Sequence, residues 1–212
     1  MLRYDAYASL KAKSLARTMI MADNISAKDK IKTELISQLA STSYDKITIT
    51  KLANSLGMSR RNIYKHYSSK EEILADIAQE KLELFFTIFE NYYLDNSPNK
   101  WANVIDNMLS VIIENRSLVF EIVKDDASEI LFKQLRSAIA RALGHVARIN
   151  DITIRDRGYF EIYTQYIASS SYEITKKWLL AEDQVAVEKI NTLYQHIFSN
   201  HIIDQLKRCE SS

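Results

Sequence analysis

Arg60, Arg61 and Asn62 stand in succession, followed closely by Tyr64, Lys65 and His66. A guanidinium can donate two parallel hydrogen bonds to the O6 and N7 edge of guanine, and a carboxamide can pair in the same two-pronged way with adenine. Lysine and tyrosine suit phosphate oxygens or base edges. His66 fits beside a phosphate or as a structural hydrogen-bonding residue. On one face of one helix, these side chains could read the edges of a DNA duplex. Dispersed, they would be an ordinary solvated surface, so the element that carries them decides.

Spacing supplies that element. Ile49, Leu52, Ala53 and Leu56 recur at i, i+3, i+4 and i+7, which predicts a helix with one apolar face. Gly57 follows, where a helix end commonly needs left-handed backbone that a residue without Cβ adopts readily. Ser59 is placed to cap a second helix, Arg60 to Tyr67, in which Ile63 and Tyr67 lie one turn apart and face inward. The six polar residues are left facing outward. Ser69-Lys70-Glu71-Glu72 then fits a capping box, with Ser69 capping and Glu72 reaching back, so a third helix begins at Lys70. Its free N–H groups and the Lys70 ammonium would make a seat for a phosphate. Two short helices, a glycine turn and a basic second helix have the layout of a helix-turn-helix DNA reader.

Leu52-Ala53, Leu56-Gly57, Ser59, Ile63-Tyr64, His66-Tyr67 and Ser69-Lys70-Glu71 closely resemble the DNA-binding domain of TetR-family transcriptional regulators, over roughly Ile31 to Ile77. The resemblance implies three helices, Lys28 to Thr42, Ile49 to Leu56 and Arg60 to Tyr67, followed by a long connecting helix. It implies base contacts for Arg60, Arg61 and Asn62, and phosphate contacts for Thr48, Tyr64 and Lys70, with Thr48 also capping the first motif helix. Four positions depart from the family pattern by repacking or weakening caps. Lys51 stands in the place of a usual carboxylate, Ser43 in that of a common turn glycine, and Leu39 and Tyr67 in those of usual phenylalanines. Arg61 is a fifth departure of another kind, because the family often has a small residue there, so the base sequence read should be peculiar to this chain.

Charge divides the chain in the same sense. Residues 1 to 72 hold 13 Lys/Arg against 7 Asp/Glu, and residues 73 to 212 hold 15 against 20. A basic half carrying the motif and an acidic half behind it suit a phosphate-binding domain joined to a regulatory one, since Lys and Arg displace counterions from DNA. With 3 Gly and 1 Pro in 212 residues, long uninterrupted helices are expected and the fold class is all-α. Apolar runs fall short of a membrane span and the N-terminus lacks the apolar core of a signal peptide, which predicts a cytoplasmic, nucleoid-associated protein. The single cysteine, Cys209, excludes an internal disulfide and reads as incidental in a frayed tail.

Beyond Ile77 the helical pattern continues through Leu82, Phe85, Phe86, Phe89 and Tyr93, until Asp95-Asn96-Ser97-Pro98 breaks it. Further helices are expected from near Pro98 to Asn115-Arg116, from Ser117 to Lys124 and from Ala127 to Arg148. A helix over Ile152 to Leu180 has one stripe of Phe160, Ile167, Ser171, Ile174 and Trp178 and another of Tyr159, Tyr163 and Tyr166. The next, Gln184 to Leu206, has Ile190, Leu193 and Ile197 on one side and Val187, Tyr194 and Phe198 on another. A helix apolar on two sides needs two covers. A second copy of the chain is the economical one, with Phe160, Ile167, Ser171, Ile174, Trp178, Ile190, Leu193 and Ile197 as its interface. The family resemblance implies the same, a homodimer through the last two long helices. A thick monomeric core is the alternative.

The resemblance also implies a ligand cavity in the C-terminal half, and Phe86, Phe89, Tyr93, Trp101, Met108, Phe132, Tyr163 and Tyr166 could line it for a small hydrophobic effector. Aromatics at helical spacing equally make ordinary core. No metal site is expected: His145, His196 and His201 are scattered, and the last two, five apart, point to different sides of a helix. No catalytic motif or cofactor site emerges, and an enzyme is not expected. Residues 1–24, with Arg3, Lys11, Lys13 and Arg17 among Leu10, Leu15, Met19 and Ile20, are an extension that could be a helix, a basic arm on flanking DNA or disordered. The natural start could also be Met19 or Met21. The domains expected are therefore this extension, a helix-turn-helix domain at 25–69 and a helical regulatory and dimerisation domain at 70–212. The functional expectation is a sequence-specific regulator on a pseudo-palindromic DNA operator, with effector-released repression implied by the resemblance. Activation, or a DNA-bound interaction platform without a small-molecule ligand, is the alternative.

Overall fold

The computed structural model describes residues 26–93, 100–124, 127–181, 185–198 and 202–210; side chains at 84–85, 87–93, 100–103 and 128 lie outside the description. The expectations for the extension at 1–24 and for the break at Pro98 fall outside the described residues. All regular elements among those described are helical. The chain divides into two compact units, Met1–Ile77 and Ala78–Ser212.

In the first unit, α1 spans Ala27–Leu39, capped by Ser26, whose Oγ accepts from the Asp29 N–H at 3.1 Å. Ile31, Leu35 and Leu39 recur every fourth residue and are buried. The helix ends three residues before the expected Thr42, because the N–H groups of Ser41 and Thr42 both turn back to the Gln38 carbonyl. A single 3-10 turn follows at Tyr44–Lys46. Ser43, where a glycine is common in relatives, sits at φ −60°, ψ 146°, ordinary extended backbone that requires no glycine. Next come α2, Ile49–Ser55, and α3, Arg60–Tyr64, and the unit ends within α4, Lys70–Tyr93. Ile47, Leu52, Ala53, Ile63, Tyr67, Ile73, Leu74 and Ile77 complete the core. Each fully buried Ile or Leu contributes about 1.5–3 kcal/mol of hydrophobic free energy.

In the second unit, α5 (Lys100–Glu114), α6 (Arg116–Lys124), α7 (Ser128–Ile149), α8 (Arg157–Leu180), α9 (Val187–Phe198) and α10 (Ile202–Arg208) share one core. α8 packs most extensively on α7, and α9 on α5. Three expectations change here. The helix expected from Ile152 starts at Arg157, because the N–H groups of Arg155 and Asp156 both donate to the Cys209 carbonyl at 2.9 Å and Asp156 Oδ1 caps Tyr159. The segment expected as one helix to Leu206 is two, α9 and α10. Cys209 is buried rather than frayed, since Ile202, Leu206 and Cys209 line the inner face of α10 and its end.

Burial also reassigns the apolar stripes. Ile167, Ser171, Trp178 and Ile190 are buried in the protomer's own core, and Phe160, Ile174 and Ile197 pack against it. Of the expected interface residues only Leu193 is widely exposed, at 48%. The apolar face of α8 left open is instead that of Ile162 and Tyr166, 71% and 57% exposed. The buried residues of α8 thus come from both expected stripes, Ile167, Ser171 and Trp178 from one and Tyr163 from the other, while Tyr166 of the second stripe is exposed.

Of the expected pocket residues, Tyr163 lies in the core of this unit, with Phe86, Met108 and Phe132 packed against that core. Phe132 meets Tyr172 edge to face at 5.4 Å, and Phe86 meets His145 likewise at 6.2 Å with the Arg141 guanidinium over its ring. Met108 packs on the core; Tyr163 is buried and stacks on Tyr166, which is exposed. The side chains of Phe89, Tyr93 and Trp101 lie outside the described residues. A hollow of about 360 Å³ lies elsewhere, lined by Gly144, Ala147, Arg148 and Asp151 to Ile154.

Candidate nucleic-acid interface

The two motif helices are defined by their caps. Thr48 is extended and its Oγ1 accepts from the Lys51 N–H at 3.2 Å, opening α2. At the other end Gly57 takes φ +62°, the Gly57 N–H bonds the Asn54 carbonyl at 3.2 Å and the Met58 N–H reaches the Ala53 carbonyl at 2.9 Å. That paired closure is a Schellman motif, and it satisfies carbonyls that a helix end would otherwise leave open. Ser59 caps α3, accepting from the Asn62 N–H at 3.2 Å. α3 is shorter than the expected Arg60 to Tyr67. The chain continues as a turn, with His66 N–H on the Ile63 carbonyl at 2.9 Å.

One side of α3 is sealed. Ile63 is fully buried, and Tyr67 just beyond it is buried with its hydroxyl donating to Asp76 Oδ2 at 2.6 Å and the Lys28 ammonium 4.9 Å over its ring. The other side is open. Arg60, Arg61 and Lys65 are exposed, Asn62 and His66 are half-buried, and Tyr64 is 47% exposed with the Arg60 guanidinium 6.0 Å from its ring centre. Among the described residues, no ion pair engages Arg60, Arg61 or Lys65. Three exposed cations without carboxylate partners, beside an amide and a phenol, form a surface that attracts phosphates and can hydrogen-bond base edges. Thr48 is exposed too, and its cap uses the hydroxyl oxygen as acceptor, which leaves the hydroxyl proton to donate.

Lys70 departs from this set. Its ammonium lies 2.8 Å from the Tyr44 carbonyl, 3.1 Å from that of Ile47 and 3.5 Å from that of Asp45, and 4.2 Å over the Tyr44 ring. Two N–H groups at the start of α4, those of Ser68 and Glu72, are bonded to side chains. Ser69 Oγ accepts the Glu72 N–H at 3.2 Å, and the Glu72 carboxylate accepts both the N–H and the hydroxyl of Ser68 at 2.6 Å. The capping box forms with its return bond on Ser68, one residue earlier than expected, and those bonds hold the Glu72 carboxyl below its usual range. Lys51 turns away from the cap it was expected to weaken and donates to the Lys46 carbonyl at 2.8 Å. Sequence spacing gave no sign of Tyr44 or Asp76 as partners; both lie outside the motif's local pattern.

Among the described residues no group of three or more His, Cys, Asp or Glu could hold a metal ion, and no helix is long and apolar enough to cross a membrane.

A family model, that of the bacterial regulatory proteins of the tetR family, matches residues 36–77. Among curated protein sequences none matches the chain. Among solved structures, a TetR-family repressor, FadR of Thermus thermophilus, in complex with lauroyl-CoA, aligns with a TM-score of 0.60 at 13% identity, over 84% of this chain and 94% of that one. The fatty acid degradation regulator FadR of Bacillus halodurans aligns at 0.58 and 15%, over 84% and 97%. The dihydroxyacetone kinase operon activator DhaS aligns at 0.49 and 18%, over 85% and 96%. The two FadR structures share the all-helical fold of this chain, and the family match falls on the segment that contains α2, α3 and the start of α4. With that motif in place, residues 36–77 are similar to the bacterial regulatory proteins of the tetR family, and the chain carries a helix-turn-helix within that segment.

Proposed function

We propose that the chain is a homodimeric repressor whose two α3 helices enter successive major grooves of a pseudo-palindromic operator and are released by a small, largely apolar effector. The observation that carries the DNA part is the open face of α3, where Arg60, Arg61 and Lys65 have no ion-pair partner among the described residues while Ile63 and Tyr67 fix the helix from behind. In this reading Arg60, Arg61 and Asn62 contact bases, and Thr48, Tyr64, Lys65 and His66 contact the backbone.

Ile162, Tyr166 and Leu193 support the dimer, since three large apolar side chains this exposed on α8 and α9 gain by burial against a second copy. Two half-sites one helical turn of DNA apart need two readers. Thr164 and Ser171 support an effector. Both are buried on α8, seven residues apart, and their hydroxyl oxygens have no partner among the described residues. Unpaired polar atoms in an apolar core are costly, and a ligand with an apolar body and a polar end would satisfy them. The lauroyl-CoA held by the Thermus FadR is a molecule of that kind. Binding would shift the separation of the two readers through α4, with a coupling of about 1–3 kcal/mol.

Mapping the DNA bound by the full chain across the genome tests the reading. Enrichment of a sequence with two-fold symmetry, beside genes whose transcripts rise when the regulator is deleted, is the expected result. No enriched sequence, or transcripts that fall, would overturn the repressor.

A further inference from the structure

The turn that leads into α2 has its carbonyls held by side chains from elsewhere. Residues 44–46 make one 3-10 turn, after which the chain extends through Ile47 to the cap at Thr48. All four carbonyl oxygens from Tyr44 to Ile47 meet a lysine ammonium: Lys70 Nζ serves Tyr44, Asp45 and Ile47, and Lys51 Nζ serves Lys46. An ammonium has three donors and no acceptor. Lys70 thus has a carbonyl for each N–H, and its charge rests on the face of the buried Tyr44 ring.

We infer that Lys70 is a positioning residue of the DNA reader, not a phosphate contact: its ammonium clamps the turn at 44–47 to the first turn of α4, and so fixes where α2 begins and where α3 is presented. A phosphate could recruit the Lys70 ammonium only by breaking these bonds, and the N–H groups of Ser68 and Glu72 nearby already serve the Glu72 and Ser69 side chains. Because Lys70 is the first residue of α4, the clamp also makes the start of that helix and the entry to the reader move together. This inference rests on the reading of α3 as the helix that contacts DNA. It assigns Lys70 a part in specificity that is exerted through Thr48 and α3.

The test uses the full chain, a high-affinity duplex selected from random-sequence DNA, and a mixed-sequence duplex. Lys70→Met removes the ammonium and keeps the stem. Its affinity for the selected duplex should fall about tenfold, as for a lost charged hydrogen-bond set. Its affinity for mixed sequence should hold, and the dependence of binding on salt should keep its slope. Lys65→Met, an exposed cation, should instead flatten that slope by about 1. Equal losses on both duplexes would reduce Lys70 to a stabilising residue, and a flattened slope would make it a phosphate contact; either overturns the inference. If Lys70→Met does not fold, the wild-type chain decides. The Lys70 ammonium should give a slowly exchanging nitrogen-15 signal before DNA is added and the same signal after it. A signal that appears only with DNA would overturn the clamp. Should the wild type select no duplex at all, the reading of α3 fails, while the ammonium signal in the free protein still answers for Lys70.

Discussion

The Tyr67 hydroxyl donates to Asp76 Oδ2 at 2.6 Å, joining the residue that closes the reader to the second turn of α4. The Lys32 ammonium lies 3.9 Å from the same carboxylate and 3.3 Å from Asp29, so α1 reaches the junction as well. A hydrogen bond to an ionised group is stronger than a neutral one, but Asp76 is part-exposed and water competes for it. Tyr67→Phe, which keeps the ring and the packing, should cost about 1 kcal/mol. Urea unfolding of Tyr67→Phe, Asp76→Asn and the double variant checks it. The double variant should be no worse than the more damaging single one, and additive losses would mean that the two residues do not act together.

Gly57 should be sensitive for its backbone alone. It takes φ +62°, and a Cβ placed there would meet nothing within 4 Å. Gly57→Ala therefore introduces conformational strain without a clash, about 1–2 kcal/mol. Gly57→Asn should recover part of that loss, because asparagine adopts left-handed backbone more readily. Thermal unfolding of the two variants distinguishes the cases; equal losses would point to something other than φ.

What was legible in the sequence was local. The caps at Thr48, Ser59 and Ser69, the closure at Gly57, and α4 from Lys70 to Tyr93 all follow from residues within one or two turns of each other. What was not legible depends on distant partners. The chemistry of Lys70 at a helix N-terminus suggests a phosphate; only the fold brings the Tyr44 carbonyl, 26 positions away, to its ammonium. The start of α8 was displaced by a carbonyl at Cys209. On α8 spacing grouped the apolar residues without ranking them, and packing against α7 and α9 buries Ile167 of one stripe and Tyr163 of the other while leaving Tyr166 exposed.

Arg61 and Lys65 should separate base reading from phosphate binding. Both are exposed on the open face of α3. Arg61→Ala should lose about 1–3 kcal/mol on the best duplex and relax preference at one base pair. Lys65→Ala should weaken all duplexes alike and lower the salt slope by about 1. Binding titrations over single-base variants of the selected duplex make the comparison. A uniform loss for Arg61→Ala would place its guanidinium on the backbone.

Alkaline pH should destabilise the C-terminal unit through Tyr194. Its hydroxyl donates to the Ser171 carbonyl at 2.8 Å and is bonded to the Thr175 hydroxyl, and burial pushes its pKa from 10.0 up to about 12. In the unfolded chain the phenol ionises first, so the folded form keeps a proton that the unfolded form has lost. Stability is then intact below pH 10 and falls as pH rises toward 12, by an amount on the order of 2–3 kcal/mol. Tyr194→Phe removes this contribution. In the variant the Thr175 hydroxyl can give its proton to the Ser171 carbonyl, so the loss should be only about 1 kcal/mol at neutral pH. Urea midpoints across the alkaline range should fall less steeply for the variant than for the wild type; parallel curves would remove Tyr194 as the cause.

Ile162 and Tyr166 lie one turn apart on α8 and are largely exposed, so charges placed there should cost the protomer's fold little beyond the stacking of Tyr166 on Tyr163, about 0.5–1.5 kcal/mol. In a dimer buried on that face, the same charge would be taken out of water without a partner. Ile162→Glu combined with Tyr166→Glu should therefore yield a folded monomer, read by sedimentation and by an unchanged helical circular dichroism spectrum. A monomer occupies one half-site at a time and loses the effective concentration that links the two readers, so affinity for the symmetric operator should fall about 10²–10⁴-fold. Affinity for an isolated half-site should not change. A double variant that still sediments as a dimer would move the interface away from this face of α8, and one that binds the full operator undiminished would remove the need for a dimer in DNA reading.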